Sequence, residues 1–363
     1  MRNVCVLLNN DATYNLDGVF QGVIENFSCN GYSFEEMRVL RRFDEKKLKY
    51  IIETAKLEYD NAVFFTSKRL YPVICTYFQD IYRAQPQFMG ESAIFTDGEK
   101  CAFLLSESNV RETVINVCIP FLQKKYATVL QQLVFRSIGA NQAHINTLIA
   151  KAKTMDEGKM RYELSRDCAE TVVRIFFDEN VSKRIVDCVT RMFAEGLKES
   201  LYAMEDVSIE KQIVELFKLR GKKLSIAESF TGGGIAKKIT SVSGASQVYF
   251  EGLNTYDELS KIKRLGVSEY TLHTFGAVSD NTAYEMAAGL IATGDCDVSI
   301  ATTGLAGPKS DRSMLPIGLC YIAVGTKEKV FVYRYKFDGD RETITKTAIQ
   351  YALFLAYKQV KNI

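Results

Sequence analysis

The sequence has no tryptophan, only 5 prolines and only 2 histidines among its 363 residues. So few prolines, together with 47% hydrophobic residues, exclude a disordered or low-complexity chain, and we expect it to fold throughout. The histidines are His144 and His273. Because His144 falls outside the region that holds the candidate catalytic residues, the sequence disfavours a serine–histidine mechanism.

The sequence also has no large excess of positive or negative residues, since it contains 46 basic and 44 acidic residues and its net charge is +2. No global field attracts nucleic acid or anionic lipid, so we expect neither as a partner. No uncharged run approaches the ~20 residues needed to cross a bilayer. The opening MRNVCVLLNN indicates a strand rather than a signal peptide, because polar residues follow the apolar stretch at once. We therefore expect a cytoplasmic protein.

Cysteine pairs with metal-ligand spacing are missing as well. The nine cysteines are odd in number and form no CxxC pair. Most lie in apolar runs such as VCVLL and GLCYIAV, which is typical of buried thiols in a reducing compartment. We expect chemistry that needs no metal and no other cofactor.

The length predicts two or three domains at roughly 150 residues each, and the pattern along the chain favours three. Residues 1–122 alternate short apolar strands with amphipathic helices, which is typical of an α/β layer with parallel strands, and Asp97-Gly98 marks a hairpin turn. Residues 123–205 form a small α+β module. Residues 206–363 return to strand and helix alternation, so the fold class is α/β in three domains.

The stretch AESFTGGGIAKKITSVSGAS begins at Ala227 and places a serine at the end of a strand, before three glycines. Small residues at Gly232 and Gly233 let a ligand approach the backbone. The helix that follows offers unpaired N–H groups to a phosphate or an oxyanion. The alternative is a sharp turn that needs glycine for packing. The stretch is neither GxGxxG nor GxxxxGK[ST], so it does not indicate a dinucleotide or P-loop site.

A serine nucleophile needs a base, and a lysine can act as one when burial or nearby positive charge lowers its pKa. Lys261 and Lys263 both follow the strand that ends at Tyr256. Spacing alone does not choose between them.

Further polar residues lie at predicted strand ends, where open parallel sheets bind ligands. Thr303 ends the strand DVSIATT and runs into Gly304, while Arg341 opens the last helix. The guanidinium of Arg341 could hold a phosphate or carboxylate through two hydrogen bonds, or form a salt bridge within its own turn.

Nearly all of residues 207–363 resemble the C-terminal domain of the CinA (competence/damage-inducible protein) family, also found alone as nicotinamide-nucleotide amidohydrolase (NMN deamidase). The matching segments, in the family's order, are AESFTGGGIAKKITSVSGAS, TYDELSKIKRLGV, FGAVSDNTAYEMAAG, ATTGLAGP, PIGLCYIAVG and FDGDRETI. The resemblance implies hydrolysis of nicotinamide mononucleotide to nicotinate mononucleotide and ammonia, a step of the pyridine nucleotide cycle in NAD metabolism. It also implies a serine and lysine pair that works without a metal.

The family motifs carry residue roles onto this chain position by position. The motif serine falls on Ser229 and the lysine on Lys261, with Phe230 where relatives often have a small or polar residue. We expect the N–H groups of Gly232 and Gly233, with Thr303, to stabilise the oxyanion or bind the phosphate. The catalytic candidates are Ser229, Lys261, Tyr256 and Thr303, and the substrate-binding candidates are Thr231, Gly232, Gly233, Gly304 and Arg341.

The rest of the chain resembles full-length CinA more faintly. Residues 1–122 correspond to its molybdopterin-binding-like domain, for which the family implies ADP-ribose pyrophosphatase activity. Here VFFTS runs into KRLYP and LSESN replaces a proline-rich loop, so we expect a degenerate domain that keeps the fold without that chemistry. The middle module matches the KH-like insert, yet Gly139 opens GANQ rather than the GxxG clamp for RNA.

Three further expectations follow from the resemblance. The family's assemblies imply a homodimer. One alternative function is a two-headed enzyme with residual pyrophosphatase activity in residues 1–122. The other is a nucleotide-binding or partner-binding protein of competence and DNA uptake, whose amidase pocket binds without turnover.

Overall fold

The computed structural model of the protein describes residues 2–8, 17–90, 92–106, 110–126, 130–308 and 314–361. Three β-sheets with flanking helices confirm the predicted α/β class. The chain forms two compact units, Met1–Gln131 and Gln132–Ile363. The three domain boundaries proposed from the sequence, and the molybdopterin-like and KH-like assignments, stay predictions.

The first unit holds a six-stranded sheet in the order β2-β1-β3-β6-β5-β4. Alternate residues of its buried strands enter two cores, so Val4 and Val6 pack on one face while Cys5 and Leu7 pack on the other. The strands are β1 (Asn3–Leu8), β2 (Glu36–Leu40), β3 (Asn61–Thr66), β4 (Gln87–Met89), β5 (Ser92–Asp97) and β6 (Lys100–Ser106). The helices are α1 (Asp17–Cys29), α2 (Glu45–Glu58), α3 (Tyr71–Tyr82), α4 (Val110–Thr113) and α5 (Ile119–Tyr126), with a π-helical turn at Val114–Cys118.

The predicted hairpin in this unit is confirmed, since β5 and β6 pair antiparallel with Asp97 opposite Lys100. The segment KRLYP follows β3, as the sequence indicated, in place of a glycine-rich loop, and its last two residues begin α3. Part of LSESN, residues 107–109, lies outside the described residues.

A four-stranded sheet in the order β10-β7-β9-β8 begins the second unit. Its strands are β7 (Gln131–Ile138), β8 (Arg161–Asp167), β9 (Glu170–Phe177) and β10 (Leu201–Ala203), and its helices are α6 (Gln142–Met155) and α7 (Lys183–Gly196). The strand β8 was not predicted from the sequence. That strand lies at the sheet edge and is largely exposed, so it carries polar residues and no apolar alternation.

The last sheet positions the candidate site and has the order β12-β11-β13-β14-β15. β11, β12 and β13 run parallel, whereas β14 and β15 are antiparallel. The strands are β11 (Leu224–Glu228), β12 (Tyr249–Asn254), β13 (Val298–Gly304), β14 (Leu319–Thr326) and β15 (Val330–Lys336). The helices are α8 (Ile209–Arg220), α9 (Gly234–Thr240), α10 (Glu258–Leu265), α11 (Glu269–Phe275), α12 (Asp280–Ala292) and α13 (Arg341–Lys361).

The two faces of this sheet have separate cores. Ile226 of β11 and Ile300 of β13 face one core, which includes residues of α8, α9 and α13. Ala227 and Ala301 face the other, which includes residues of α10 and α12. Continuing the alternation, Ser229 lies on the side of α10 and α12.

All nine cysteines are free thiols, and six of them are buried, as their apolar surroundings predicted. Within the ranges the structure describes, none of the helices combines the length and the apolar character needed to span a membrane.

Candidate active site

The turn after β11 depends on two glycines with left-handed backbone conformations. Gly232 has φ of 62° and Gly233 has φ of 89°, a region that side chains with a Cβ rarely adopt. A Cβ built at either position would meet nothing within 4 Å. Backbone conformation, rather than close packing, therefore requires glycine here.

The side chain of Glu228 stabilises this turn by accepting hydrogen bonds from its backbone. Its side chain is 2% exposed, and its carboxylate accepts hydrogen bonds from the N–H groups of Gly233 at 3.1 Å, Ile235 at 3.1 Å and Ala236 at 2.9 Å. The acid thus supplies the negative charge that the N-terminus of α9 favours. An anionic ligand was expected there.

Ser229 and Lys261 come together across 32 residues of sequence. The Lys261 Nζ lies 3.2 Å from the Ser229 Oγ, 2.6 Å from the carbonyl oxygen of Thr255 and 3.3 Å from that of Tyr256. Both side chains are buried, with 9% of Ser229 and 1% of Lys261 exposed. Lys263, the alternative base, is exposed on α10.

The surroundings of the amine favour its neutral form. Burial lowers the pKa of Lys261, and the negative charges of Glu258 and Asp257 oppose that shift. A neutral amine has two N–H donors and one lone pair. In the structure the Lys261 Nζ donates to all three oxygens. Once the amine is neutral, its two N–H groups can stay on the backbone carbonyls while its lone pair accepts the serine proton.

Three hydroxyl residues, Ser229, Thr255 and Thr303, lie at or just past the ends of neighbouring strands. β12 pairs with β11 so that Asn254 lies opposite Glu228, and one further step places Thr255 beside Ser229. β13 pairs with the opposite edge of β11 so that Ala301 lies opposite Ala227. Thr303 follows two residues later, on the side of Ser229 away from β12. The Thr303 hydroxyl donates to the Ala277 carbonyl oxygen at 2.6 Å.

Arg341 joins two of the loops around the site. Its guanidinium donates to the carbonyl oxygen of Gly307 at 2.7 Å and to the Tyr256 hydroxyl at 3.1 Å. An open pocket of about 490 Å³ extends from Arg341 along the first turns of α13, where Thr345 and Lys346 also line it. Neither Ser229 nor Lys261 lines this pocket, and Arg341 connects it to the site through the Tyr256 hydroxyl.

The residues that build this site lie in a region with known relatives. Residues 206–360 match the family model described as the CinA C-terminal domain. This part of the chain belongs to the CinA family. A competence-damage inducible protein of Caldicellulosiruptor saccharolyticus is 36% identical over 246 residues, which are 67% of this chain and 60% of that protein.

Other CinA proteins are also similar to this chain, in sequence or in structure. A CinA-like protein of Kosmotoga olearia is 32% identical over 65% of this chain and 58% of its own length. The chain thus covers about three fifths of these relatives. The crystal structure of the competence/damage inducible protein CihA from Agrobacterium tumefaciens aligns with 42% of this chain and 94% of its own, at 35% identity and a TM-score of 0.40.

Within the CinA domain, the structure brings together some of the expected site residues. Ser229 contacts Lys261, whose amine contacts the Tyr256 carbonyl, and the Tyr256 hydroxyl accepts from Arg341. Gly304 packs tightly, because a Cβ there would lie 2.5 Å from the Cβ of Cys320.

Other expected donors of the CinA domain have partners within the fold. The Thr231 hydroxyl bonds to that of Thr302 at 2.7 Å in a buried contact, away from the side of Ser229. The N–H of Gly232 donates to the Ser229 carbonyl at 3.1 Å, and the N–H of Gly233 donates to Glu228. The Thr303 proton goes to Ala277. These groups do not offer the free donors we expected, because the turn and its neighbours use them.

Sequence reasoning missed Glu228 and Thr255. An acid directly before a glycine turn and a short helix was a usable signal for Glu228. No local pattern marked Thr255, whose position depends on strand order. Neither histidine joins the site, since His144 contacts the Gly196 carbonyl and His273 lies on α11. Among the described residues, no three His, Cys, Asp or Glu side chains are grouped so that they could hold a metal ion.

Proposed function

We propose that the CinA domain of this protein is a nicotinamide-nucleotide amidase that hydrolyses the carboxamide of nicotinamide mononucleotide. The observation that carries the proposal is the 3.2 Å contact between the buried Lys261 amine and the Ser229 hydroxyl. A nucleophile within hydrogen-bond reach of a base is the arrangement that covalent acyl transfer requires. The family resemblance supplies the substrate.

In the proposed first step, the Ser229 Oγ bonds to the carboxamide carbon and its proton passes to the Lys261 Nζ. The carbon–nitrogen bond then breaks, and the Lys261 ammonium gives the proton to the departing ammonia. The product of this step is an ester between Ser229 and the nicotinate group. Water attacks that ester while Lys261 takes and returns a proton, which frees nicotinate mononucleotide and restores the serine.

The remaining site residues are proposed to bind and orient the substrate. Arg341 keeps N–H donors beyond the two that it uses within the fold, so it can hold the phosphate at the pocket along α13. The Thr303 hydroxyl gives its proton to Ala277 and presents lone pairs. It can therefore accept an N–H of the carboxamide.

The test is ammonia release from nicotinamide mononucleotide by the purified full chain. Ser229→Ala and Lys261→Ala should each lower kcat by at least about 1,000-fold, because the two groups act as one unit. Lys263→Ala is the matched control on the same helix and should keep wild-type activity. Activity near wild type in either of the first two variants would end the proposal, and tight binding of the mononucleotide without ammonia would favour a binding protein.

A further inference from the structure

Thr255 is a buried hydroxyl residue with no assigned role. The residue is 1% exposed, and within the described part of the chain its Oγ1 has no hydrogen-bond partner. A buried polar group without a partner costs folding free energy, so it needs an explanation. Two other threonines, Thr66 and Thr171, share this property, but only Thr255 lies beside Ser229.

The backbone fixes Thr255 next to both members of the catalytic pair. Its N–H donates to the Glu228 carbonyl at 2.8 Å, as part of the pairing of Glu228 with Asn254 at the end of the ladder between β11 and β12. Its own carbonyl accepts from the Lys261 amine at 2.6 Å. In a parallel ladder, residues in register place their side chains on the same face. Leu253 pairs with Ala227 in this way, and Thr255 and Ser229 each follow two residues later. The Lys261 amine contacts both the Thr255 carbonyl, at 2.6 Å, and the Ser229 hydroxyl, at 3.2 Å, so the two residues flank the same amine.

The proposed acyl transfer needs a donor for the oxyanion, and the donors expected from the sequence are engaged elsewhere. Gly232 donates to Ser229, Gly233 donates to Glu228 and Thr303 donates to Ala277. The Thr255 hydroxyl has a proton and no acceptor.

We infer that the Thr255 hydroxyl is a catalytic donor that stabilises the oxyanion formed when Ser229 attacks the carboxamide. The inference rests on the proposed function. Attack moves the carbonyl electrons onto oxygen, and Thr255 donates a hydrogen bond to that oxygen without losing its proton. The ligand thus supplies the acceptor that the fold leaves out. A preorganised donor of this kind accelerates the reaction because it is aimed where charge develops.

Thr255→Val in the full chain separates this role from a structural one. Valine has the same shape and lacks the hydroxyl, so the unfolding temperature should stay the same or rise. The kcat for ammonia release should fall on the order of 100-fold with little change in KM. Thr255→Ser keeps the hydroxyl and should recover most of the rate. The matched control is Thr171→Val. It removes another buried hydroxyl without a partner, which lies in β9 outside the CinA domain, and it should leave kcat unchanged.

A second readout does not depend on the mononucleotide. Acylation of Ser229 by p-nitrophenyl acetate, followed by mass spectrometry, also passes through an oxyanion, and Thr255→Val should slow it by a similar factor. If the wild-type chain is acylated but releases no ammonia, the proposed substrate is wrong while this readout still tests Thr255. Equal rates of both reactions in wild type and Thr255→Val would overturn the inference, as would a loss of stability that Thr255→Ser does not recover.

Discussion

At the scale of single residues, the buried Lys261 amine connects the proposed reaction to pH. Burial lowers its pKa from the ordinary value of 10.5. Only the neutral amine accepts the serine proton, so kcat/KM should rise with pH through the pKa of Lys261 and level off above it. The midpoint of the rise should lie below 10.5. Initial rates of ammonia release over a pH series measure that midpoint.

The negative charge of Glu258 raises the pKa of Lys261, whereas burial lowers it. A variant without this charge therefore tests the direction of the electrostatic effect. Glu258→Gln removes that charge and should move the midpoint to lower pH. Glu328→Gln changes an exposed acid on the hairpin between β14 and β15 and should leave the midpoint in place. An upward shift in Glu258→Gln would contradict the electrostatic account.

At the scale of elements, the strand β11 and the short helix α9 are joined by the carboxylate of Glu228. Both of its oxygens accept N–H donors, and an amide in its place would turn one oxygen into an NH₂ group that faces them. Glu228→Gln should therefore lower the free energy of unfolding by about 1–3 kcal/mol. It should also lower kcat, because the turn positions Ser229.

Thermal unfolding and ammonia release, measured on the same preparations, test this prediction. The unfolding temperature should fall by roughly 2–12 °C for a unit of this size. Glu328→Gln, on the exposed hairpin, serves as the matched charge change and should shift it little. An unchanged unfolding temperature together with full activity in Glu228→Gln would show that the cap does not hold the turn.

At the scale of the whole molecule, the buried Gln350 of α13 connects two parts of the second unit. Its partners lie at the turn between β8 and β9, about 180 residues earlier in the chain. Its amide oxygen accepts from the Ala169 N–H at 2.8 Å, and its NH₂ group donates to the Asp167 carbonyl at 2.9 Å. The neighbouring Lys346 pairs with the Asp167 carboxylate at 2.7 Å. The turn between β8 and β9 is thereby fixed to the helix that begins with Arg341.

Gln350→Ala should loosen this connection, because it leaves a buried N–H and a buried carbonyl without partners. We expect faster hydrogen exchange in peptides covering β8, β9 and the start of α13, and a fall of several degrees in unfolding temperature. Glu342→Ala, an exposed change on the same helix, is the control. Exchange that rises equally in both variants would refute the connecting role of Gln350.

The same three scales separate what the sequence predicted from what it missed. The α/β class, the hairpin at Asp97-Gly98 and the start of α13 at Arg341 follow from local periodicity and turn residues, which act over a few positions. The edge strand β8 and the seven-residue helix α11 were missed because they are short or polar, so their positions depend on tertiary pairing.

The sequence by itself determined a serine before a glycine turn and two lysines downstream, because these features are local and a motif can carry them. Spacing left Lys261 and Lys263 open and the family motif chose Lys261, while the tertiary structure brings its amine to Ser229. Only the tertiary structure decided that Glu228, rather than a ligand, fills the N-terminus of α9. It also decided that Thr255 lies beside Ser229. The physical reason is the strand order β12-β11-β13, which brings together residues distant in the chain. Burial then lowers the pKa of the amine, and no spacing of residues encodes burial directly.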